Sequence, residues 1–410
     1  MRASSHPEGD GGHMSTHIDT GCVVVGGGPA GLMLALALLR HGVEVAVVEK
    51  HADFLRDFRG DTIHPSTQEL LADLGLLDDF LARPHDDMPR VSVSWQGAEL
   101  VLADFTRLPT RRKTMTFMPQ WDFLDLLADA AARHPGFVLL RETRIDGLVR
   151  DGGRVAGVTG TGPDGEVTIR ARLVVDASGR DSDIRAAAGL QPQGVAASMD
   201  VLWFRLSKQP GDAYPFIQAG SGMIITIDRG DFFQIAHVIP AGTWNGADAD
   251  VSAMKDRIAR ISPRMADAAA AVAADDVHLL RVRLERLRRW YVDGMLCIGD
   301  AAHAMSPAGG VGINLAIQDA VAAARILGPV LRAGSPTTAD LRHVQRRRTP
   351  PTRVTQFVQR RLQGPLIAER APDAPLPLPL RLLRDHPRLA HLTGRFVGLG
   401  ARPERLDEAL

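Results

Sequence analysis

The chain has 410 residues, with 48 Lys and Arg against 48 Asp and Glu, so its formal net charge is zero. This balance indicates neither a nucleic-acid partner nor an acidic membrane surface. The only two cysteines, Cys22 and Cys297, lie in apolar runs. They therefore indicate small buried side chains in a reducing cytoplasm rather than a disulfide framework, and no zinc-type cluster of Cys and His is present.

Residues 1–17 are polar and lack the apolar centre of a signal peptide, so we predict a disordered leader there. The longest apolar stretch, near residue 32, is too short and too closely flanked by glycine to cross a bilayer. We therefore expect no stable membrane insertion.

The segment 22–50 predicts a strand, a glycine turn, a helix and a second strand. Its turn carries G-x-G-x-x-G, in which Gly26 permits the turn, Gly28 admits a pyrophosphate and Gly31 lets the helix approach the strand. The helix start at Pro29 and Ala30 offers free N–H groups to phosphates. Glu49, followed by Lys50, ends the second strand and can accept hydrogen bonds from a ribose diol. This unit alone leaves FAD and NAD(P) as alternatives.

Further elements follow in chain order. Residues 66–77 have helical spacing and a capping-box start at Ser66 and Glu69. Residues 91–105 predict a hairpin, and a helix opens at Gln120. Short strands are predicted over 137–141, 145–150, 155–160, 166–170 and 173–175, and the last of these runs into DASGR at 176–180.

The alternation of buried strands and helices then gives way to a β-rich region and later returns. Strands at 200–206, 223–228 and 232–239 and an alanine-rich helical stretch at 251–274 predict an inserted β-rich domain. A buried strand at 295–298 precedes GDAAH, and a Pro/Gly loop at 307–312 leads into a helix over 313–327 that Gly328-Pro329 should end or kink. A basic helix is predicted over 341–363, and the tail from 375 should pack on the surface.

Three motifs stand in a fixed order: the glycine fingerprint with Glu49, DASGRDSDIR at 176–185, and GDAAHAMSPAGGVGINLAIQDA at 299–320. This set resembles the single-component FAD-dependent aromatic hydroxylases of the para-hydroxybenzoate hydroxylase type, over roughly residues 20–365. The resemblance implies an α/β fold: a Rossmann-like FAD-binding domain with an inserted β-rich (α+β) substrate domain and C-terminal helices. We assign 18–87, 106–190 and 276–365 to the FAD-binding domain, 88–105 and 191–275 to the substrate domain, and 366–410 to the tail.

The late motif has a chemical rationale of its own. Asp300, at a strand end, can accept hydrogen bonds from a polyol such as the ribityl chain. The helix N-terminus near Gly312, Ile313 and Asn314, after Pro307 and Gly309, can stabilise negative charge on a reduced flavin. The resemblance adds Arg59 for the pyrophosphate, with Arg56 a weaker choice, Gln120 for the ribityl or phosphate, and the backbone around Arg144 for the adenine.

One departure from the family pattern concerns the reductant. The family usually has Asp-Gly where this chain has Ser178-Gly179, in a segment thought to serve both FAD and NAD(P)H. The substitution leaves the mode of nicotinamide binding open. The sequence also leaves open the choice between NADH and NADPH. Halogenases and prenyl reductases also carry DASGR segments, but the Trp-x-Trp-x-Ile-Pro run of halogenases is absent.

The resemblance implies an FAD- and NAD(P)H-dependent monooxygenase of specialised metabolism. It would insert one atom of O2 into an aromatic or other electron-rich small molecule through a flavin C4a-hydroperoxide. The alternatives are a reductase or dehydrogenase of the same fold and a non-enzymatic flavin-binding protein. We expect a cytoplasmic monomer or homodimer with a small-molecule substrate and O2 as partners, no nucleic acid, and no metal.

No acid or base is assigned from the sequence. The inserted sheet offers five pocket residues: Trp203, Arg205, Tyr214, Gln234 and His237. Gln234 and His237 are three positions apart, so on one strand they face opposite sides and only one of them can line a pocket. His303 is interpreted as a hydrogen-bonded structural histidine near the flavin.

Overall fold

The computed structural model describes residues 2–7, 14–55, 62–95, 97–195, 197–367 and 374–406. In these ranges the strands are β1 Arg2–Pro7, β2 Met14–Val25, β3 Val45–Val48, β4 Thr62–Ile63, β5 Asp86–Met88, β6 Arg90–Trp95, β7 Ala98–Asp104, β8 Met115–Phe117, β9 Phe137–Leu140, β10 Arg144–Asp151, β11 Arg154–Gly162, β12 Gly165–Asp176, β13 Pro192–Val195, β14 Met199–Ser207, β15 Ile217–Ala219, β16 Met223–Asp228, β17 Phe232–Pro240, β18 His278–Arg281, β19 Leu284–Leu287, β20 Tyr291–Val292 and β21 Met295–Cys297. The α-helices are α1 Pro29–Arg40, α2 Pro65–Asp73, α3 Leu77–Leu81, α4 Gln120–Ala132, α5 Asp183–Ala187, α6 Asp248–Ile261, α7 Ala266–Ala270, α8 Val311–Ala333, α9 Thr338–Ile367, α10 Leu378–Asp385 and α11 Leu389–Leu399.

A mixed sheet with a parallel centre lies at the middle of the cofactor domain. Its strand order is β10-β11-β12-β2-β3-β9, and β21 pairs in parallel with the second half of β12. The residues of β3 are all buried, as expected for a strand covered on both faces. Helix α1 packs against α4 and α8. Because β2, β3, β12 and β21 run in parallel, their carboxyl ends meet along one edge, which is where ligands bind in α/β sheets.

A second sheet has seven strands in the order β18-β14-β17-β16-β15-β6-β7. The hairpin β6–β7 joins through β15, so two distant segments of the chain build one sheet. Apolar residues of α6 and α7 pack on one face of this sheet. The predicted end of this domain at residue 275 is too early, because β18 continues the sheet to Arg281.

The predicted disordered leader requires correction within the described residues. β1 pairs antiparallel with β2, and β2 begins at Met14 rather than after residue 17. The first half of β2 pairs with β12, with Thr16 opposite Val167. The physical reason is the length of β12: its first half would present an unpaired edge if β2 began later.

Two predicted helix boundaries are also wrong. Helix α2 begins at Pro65 with no side-chain cap, and Glu69 instead accepts a hydrogen bond from the backbone N–H of Arg111, so the capping box does not form. Helix α8 continues through Gly328-Pro329 to Ala333. A Cβ on Gly328 would lie 2.6 Å from the ring of His41, so this glycine permits close packing of α8 on α1 instead of ending the helix.

The tail is more firmly attached than predicted. Helix α11 packs against β7, where a Cβ on Gly394 would overlap the backbone of Asp104. Beyond the helix, Glu404 is only 2% exposed and pairs with Arg347 and Arg348 on α9. The tail thus connects the second sheet to the cofactor domain.

Helix α8 and the residues just before it, 308–333, are long and apolar enough to cross a membrane, but two thirds of the most apolar window is buried inside the protein. Its position against α1 and α9 is that of a core helix.

Candidate functional site

The glycine turn between β2 and α1 has the geometry that its sequence predicts. Gly26 has φ +108°, and a Cβ there would lie 2.5 Å from the carbonyl oxygen of Ala177. A Cβ on Gly31 would overlap the carbonyl oxygen of Gly26. A Cβ on Gly28, by contrast, would meet no atom within 4 Å. Gly26 and Gly31 are therefore required by the fold itself, whereas Gly28 borders open space.

Glu49 closes this turn from the end of β3. Its Oε2 accepts a hydrogen bond of 2.9 Å from the backbone N–H of Gly27, and its Oε1 accepts one of 3.1 Å from that of His51. Both carboxylate oxygens of Glu49 thus hold the backbone of the turn, and a carboxylate oxygen can accept more than one hydrogen bond. Lys50, beside it, is exposed. Pro29 opens α1 and Ala30 is buried behind it, which leaves the first N–H groups of the helix at the turn.

The Gly299–Asp300 turn follows β21 at the same edge. Gly299 lies between two helices, because a Cβ there would be 3.1 Å from Ala316 and 3.4 Å from Ala30. The Asp300 side chain is 44% exposed and lies 3.9 Å from the guanidinium of Arg180. Asp300 is therefore an accessible carboxylate beside the N-terminus of α1.

The DASGR segment after β12 is organised internally by Asp176. This buried carboxylate accepts hydrogen bonds from the Ser178 hydroxyl at 2.6 Å and the Ser182 hydroxyl at 2.7 Å. Burial raises the pKa of Asp176 above its usual range, although both hydroxyls oppose the shift. Ser178, which stands where the family usually has Asp, thus donates a hydrogen bond to Asp176. Arg185 links the segment to the other motif by donating to the carbonyl oxygen of Ala301.

The Pro/Gly loop leads directly into α8. Pro307 precedes a short 3-10 turn in which Gly309 has φ +80°. Helix α8 begins at Val311, so Gly312 and Ile313 lie in its first turn, where backbone N–H groups have no partner within the helix. A Cβ on Gly312 would meet nothing within 4 Å. The loop therefore presents a helix N-terminus to open space.

The side chain of Asn314 makes contacts that the sequence did not predict. Its side-chain oxygen accepts from the backbone N–H of His64 and the hydroxyl of Thr67, and its side-chain nitrogen donates to the carbonyl oxygen of Thr62. The amide therefore holds segment 62–67 against the loop, leaving only its backbone for a cofactor. Burial lowers the pKa of His64 to about 4. Sequence reasoning missed these three partners, which carry no motif of their own.

Four predicted residues lie at the periphery or outside the described ranges. Arg59, together with Arg56, lies outside the described residues. Gln120 is the first residue of α4 and is half-buried. The Arg144 side chain is exposed and pairs with Asp183 at 2.8 Å.

The five pocket candidates separate onto different sides of the second sheet. Directly opposed residues of an antiparallel pair share a face, so Trp203 (opposite Ala236) and Arg205 (opposite Gln234) lie on one face with Gln234. The apolar cluster on this face includes Ala308 of the Pro/Gly loop. His237, opposite Leu202, lies on the other face, under α6. Tyr214 packs on that same side against Phe233.

His237 therefore lies on the face of the sheet that is turned away from the Pro/Gly loop. Burial, with a smaller effect from Arg257, lowers the pKa of His237 to about 3, so the imidazole is neutral at pH 7. Neither ring nitrogen has a hydrogen-bond partner within the described part of the chain. His303 is also buried, and its Nε2 pairs with Asp319, so the hydrogen bond expected of a structural histidine is present.

These residues fit FAD. Open space lies beside Gly28 and Gly312, two helix N-termini face it, and Glu49 and Asp300 supply acceptors for hydroxyl groups. The Trp203 face of the second sheet and the Pro/Gly loop share one apolar cluster. The sheet edge thus offers helix N-termini for phosphates and carboxylates for hydroxyl groups, and an apolar cluster lies beside the Pro/Gly loop.

A family model described as "FAD binding domain" matches residues 19–358. The chain is 36% identical to 6-methylpretetramide 4-monooxygenase of Streptomyces rimosus, covering 88% of this chain and 86% of that protein. It is 31% identical to the rifampicin monooxygenase of Streptomyces venezuelae, of which it covers 62%. The structure of p-nitrophenol 4-monooxygenase PnpA from Pseudomonas putida DLL-E4 matches with a TM-score of 0.73 at 22% identity, covering 93% of this chain and 95% of that one.

Proposed function

This chain belongs to the family of FAD-dependent aromatic hydroxylases, and on that premise we propose that it oxygenates a large, polycyclic phenol. It is an FAD-dependent monooxygenase that uses NAD(P)H and O2. A reductase or dehydrogenase of the same fold is not favoured, because the similar proteins are named as monooxygenases. FAD held by these residues would supply the redox chemistry, which is acceptance of two electrons from the nicotinamide and activation of O2 for transfer of one oxygen atom.

We assign the cofactor contacts along the sheet edge. Gly26, Gly28, Pro29, Ala30 and Gly31 would hold the pyrophosphate at the α1 N-terminus. The remaining contacts are Glu49 and Lys50 for the ribose, Asp300 and Gln120 for the ribityl chain, Arg144 for the adenine, Arg59 for the phosphates, and Pro307, Gly309, Gly312, Ile313 and the Asn314 backbone for the ring. The single observation behind this assignment is that Gly28 and Gly312, each at the N-terminus of a helix, would meet no atom within 4 Å if they carried a Cβ.

The proposal for the substrate comes from the loop-facing side of the second sheet. This face carries Trp203 and a broad set of aliphatic side chains, and polar groups on it include Arg205 and Gln234. Such a surface suits a flat apolar ring system with a few oxygen substituents. The similar protein of Streptomyces rimosus is named as a monooxygenase of 6-methylpretetramide. Arg205 and Gln234 would bind the substrate oxygens and so orient the reacting ring.

The test is an oxygenation assay on the purified FAD-loaded protein with NADPH and with NADH. We expect consumption of O2 coupled to a product that carries one ¹⁸O atom from ¹⁸O2 when polycyclic phenols are supplied. Monocyclic phenols should cause less coupled turnover. Coupled oxygenation of monocyclic phenols alone would contradict the proposed substrate class, and hydrogen peroxide as the sole product with every phenol would contradict oxygen insertion.

The proposed setting follows from the same features. We infer a small-molecule substrate and O2 as partners, without nucleic acid or stable membrane insertion, because the formal charge is balanced and the apolar α8 lies in the core. We also propose a cytoplasmic monomer or homodimer, which sedimentation of the purified protein can test.

A further inference from the structure

The Gly299–Asp300 turn is held from behind by a buried carboxylate. Asp319 on α8 accepts a hydrogen bond of 3.2 Å from the backbone N–H of Gly299 through Oδ2. The same oxygen pairs with Nε2 of His303, at the end of the turn. His303 in turn packs on the indole ring of Trp290, with ring centroids 4.9 Å apart. The position of Asp319 therefore sets the position of the turn that carries Asp300.

Asp319 is itself fixed by a buried arginine. Arg348 on α9 donates from Nε to Oδ1 of Asp319 at 2.9 Å, and both side chains are almost completely buried. From Nη1, Arg348 donates to the Glu404 carboxylate at 3.2 Å and to the carbonyl oxygen of Arg402 at 3.1 Å. Because a guanidinium is planar and rigid, the hydrogen bond that Nη1 of Arg348 makes to Glu404 constrains the direction in which its Nε points toward Asp319.

Glu404 is the far end of this chain of contacts. Its carboxylate also receives Arg347 at 2.7 Å and Arg325 at 3.0 Å, and its backbone N–H meets the side chain of Gln318, the neighbour of Asp319. Three guanidinium groups thus converge on one buried carboxylate. Loss of that charge would leave Arg348 without one of its two anionic partners, and a buried cation compensates by moving toward whatever acceptors remain.

We propose that Glu404 is a positioning residue for the cofactor: through Arg348 and Asp319, it holds the Gly299–Asp300 turn in the conformation that binds FAD. The inference rests on the proposed cofactor contacts. It is not inherited from the family match, because Glu404 lies beyond residues 19–358. Glu404 is a positioning residue and not a catalytic one, since the described contacts join it to arginines and glutamine in the protein interior.

The test compares Glu404→Gln with Glu69→Gln. Glu69 is a matched control because it is also buried and pairs with Arg405, the residue that follows Glu404 in the tail. Within the described part of the chain its ionic partners are Arg111 and Arg405, and not Arg348. FAD is titrated into each apoprotein at a temperature where circular dichroism shows it to be folded. We expect E404Q to bind FAD about tenfold more weakly than the wild type, a typical size for coupling between sites, and E69Q to bind like the wild type.

Two further measurements separate positioning from general stability. The visible spectrum of bound flavin should shift in E404Q and not in E69Q, because only the former changes the turn. In the wild-type protein, FAD should slow amide hydrogen exchange around residue 404 more than around residue 69, since coupling is reciprocal. This experiment decides the question even if E404Q does not fold.

Equal FAD affinities of E404Q and wild type would overturn the proposal, as would equal weakening in E69Q. In the hydrogen-exchange experiment, protection limited to the glycine turn and the Pro/Gly loop would also overturn it. Failure of the wild-type apoprotein to bind FAD at all would instead contradict the proposed cofactor site, so the two failures are distinguishable.

Discussion

Replacing Gly28 with alanine should separate cofactor binding from folding. The backbone at Gly28 has φ −78° and ψ −176°, which alanine can adopt, and the new Cβ would meet no atom within 4 Å. Reduced entropy of the unfolded chain should stabilise the apoprotein by about 0.4–1 kcal/mol. The poorer N-cap preference of alanine should cost roughly as much. The unfolding free energy should therefore stay within about 0.5 kcal/mol of the wild type.

FAD binding should respond very differently. If the pyrophosphate lies against Gly28, the methyl group occupies its space, and we expect at least about a tenfold loss of affinity, or about 1.4 kcal/mol. Gly31→Ala is the contrasting variant, because its Cβ would overlap the carbonyl oxygen of Gly26. That overlap should reduce stability by about 1–3 kcal/mol as well as affinity. Gly334→Ala is the control. Gly334 follows the C-terminus of α8, at the end away from the Pro/Gly loop, and a Cβ there would also meet no atom within 4 Å.

The assays are urea unfolding of each apoprotein and FAD titration followed by flavin fluorescence. The reasoning is refuted if Gly28→Ala binds FAD like the wild type. It is also refuted if this variant loses affinity only in proportion to a loss of stability. A change of FAD affinity in Gly334→Ala would show that the assay responds to glycine substitution in general.

Four other variants test the second sheet and the DASGR segment. The pKa of His237 is about 3 when folded and about 6.5 when unfolded, so the unfolded state binds more protons between these values and stability falls as pH decreases from 6.5 toward 3. His237→Leu should remove about 1.4 kcal/mol per pH unit of this slope, measured by urea unfolding. Arg205→Met should raise KM for the substrate, whereas Tyr214→Phe, on the opposite side of the sheet, should leave KM and kcat unchanged. Ser178→Asp should lower the unfolding free energy by about 1–3 kcal/mol, because it places a second carboxylate beside Asp176.

Each of these expectations has a contradicting result. An unchanged pH slope in His237→Leu would mean that the imidazole is not responsible for it. A raised KM in Tyr214→Phe would place the substrate on the α6 side of the sheet. Equal stability of Ser178→Asp and wild type would show that this segment rearranges at no cost, and tighter NADPH binding by that variant would support a nicotinamide role for the family's aspartate.

Local sequence patterns were sufficient to predict the strand, glycine turn and helix of residues 22–50 and the α/β type of fold. The roles of Gly26 and Gly31 follow from local backbone geometry, and the buried strands β3 and β21 follow from short apolar runs bounded by turns. The period of two along a strand also showed that Gln234 and His237 face opposite sides. These signals can be recognised in sequence because each depends on residues close together in the chain.

Which face of the second sheet lies toward the Pro/Gly loop could not be predicted from the sequence, because it depends on the face against which α6 packs. The same holds for Gly328, which resembles a helix stop in sequence but accommodates His41 in the fold. Asn314 illustrates the general reason: its side chain bonds to residues about 250 positions away. A buried polar group must find a partner wherever packing brings one, and no local pattern of residues records that choice.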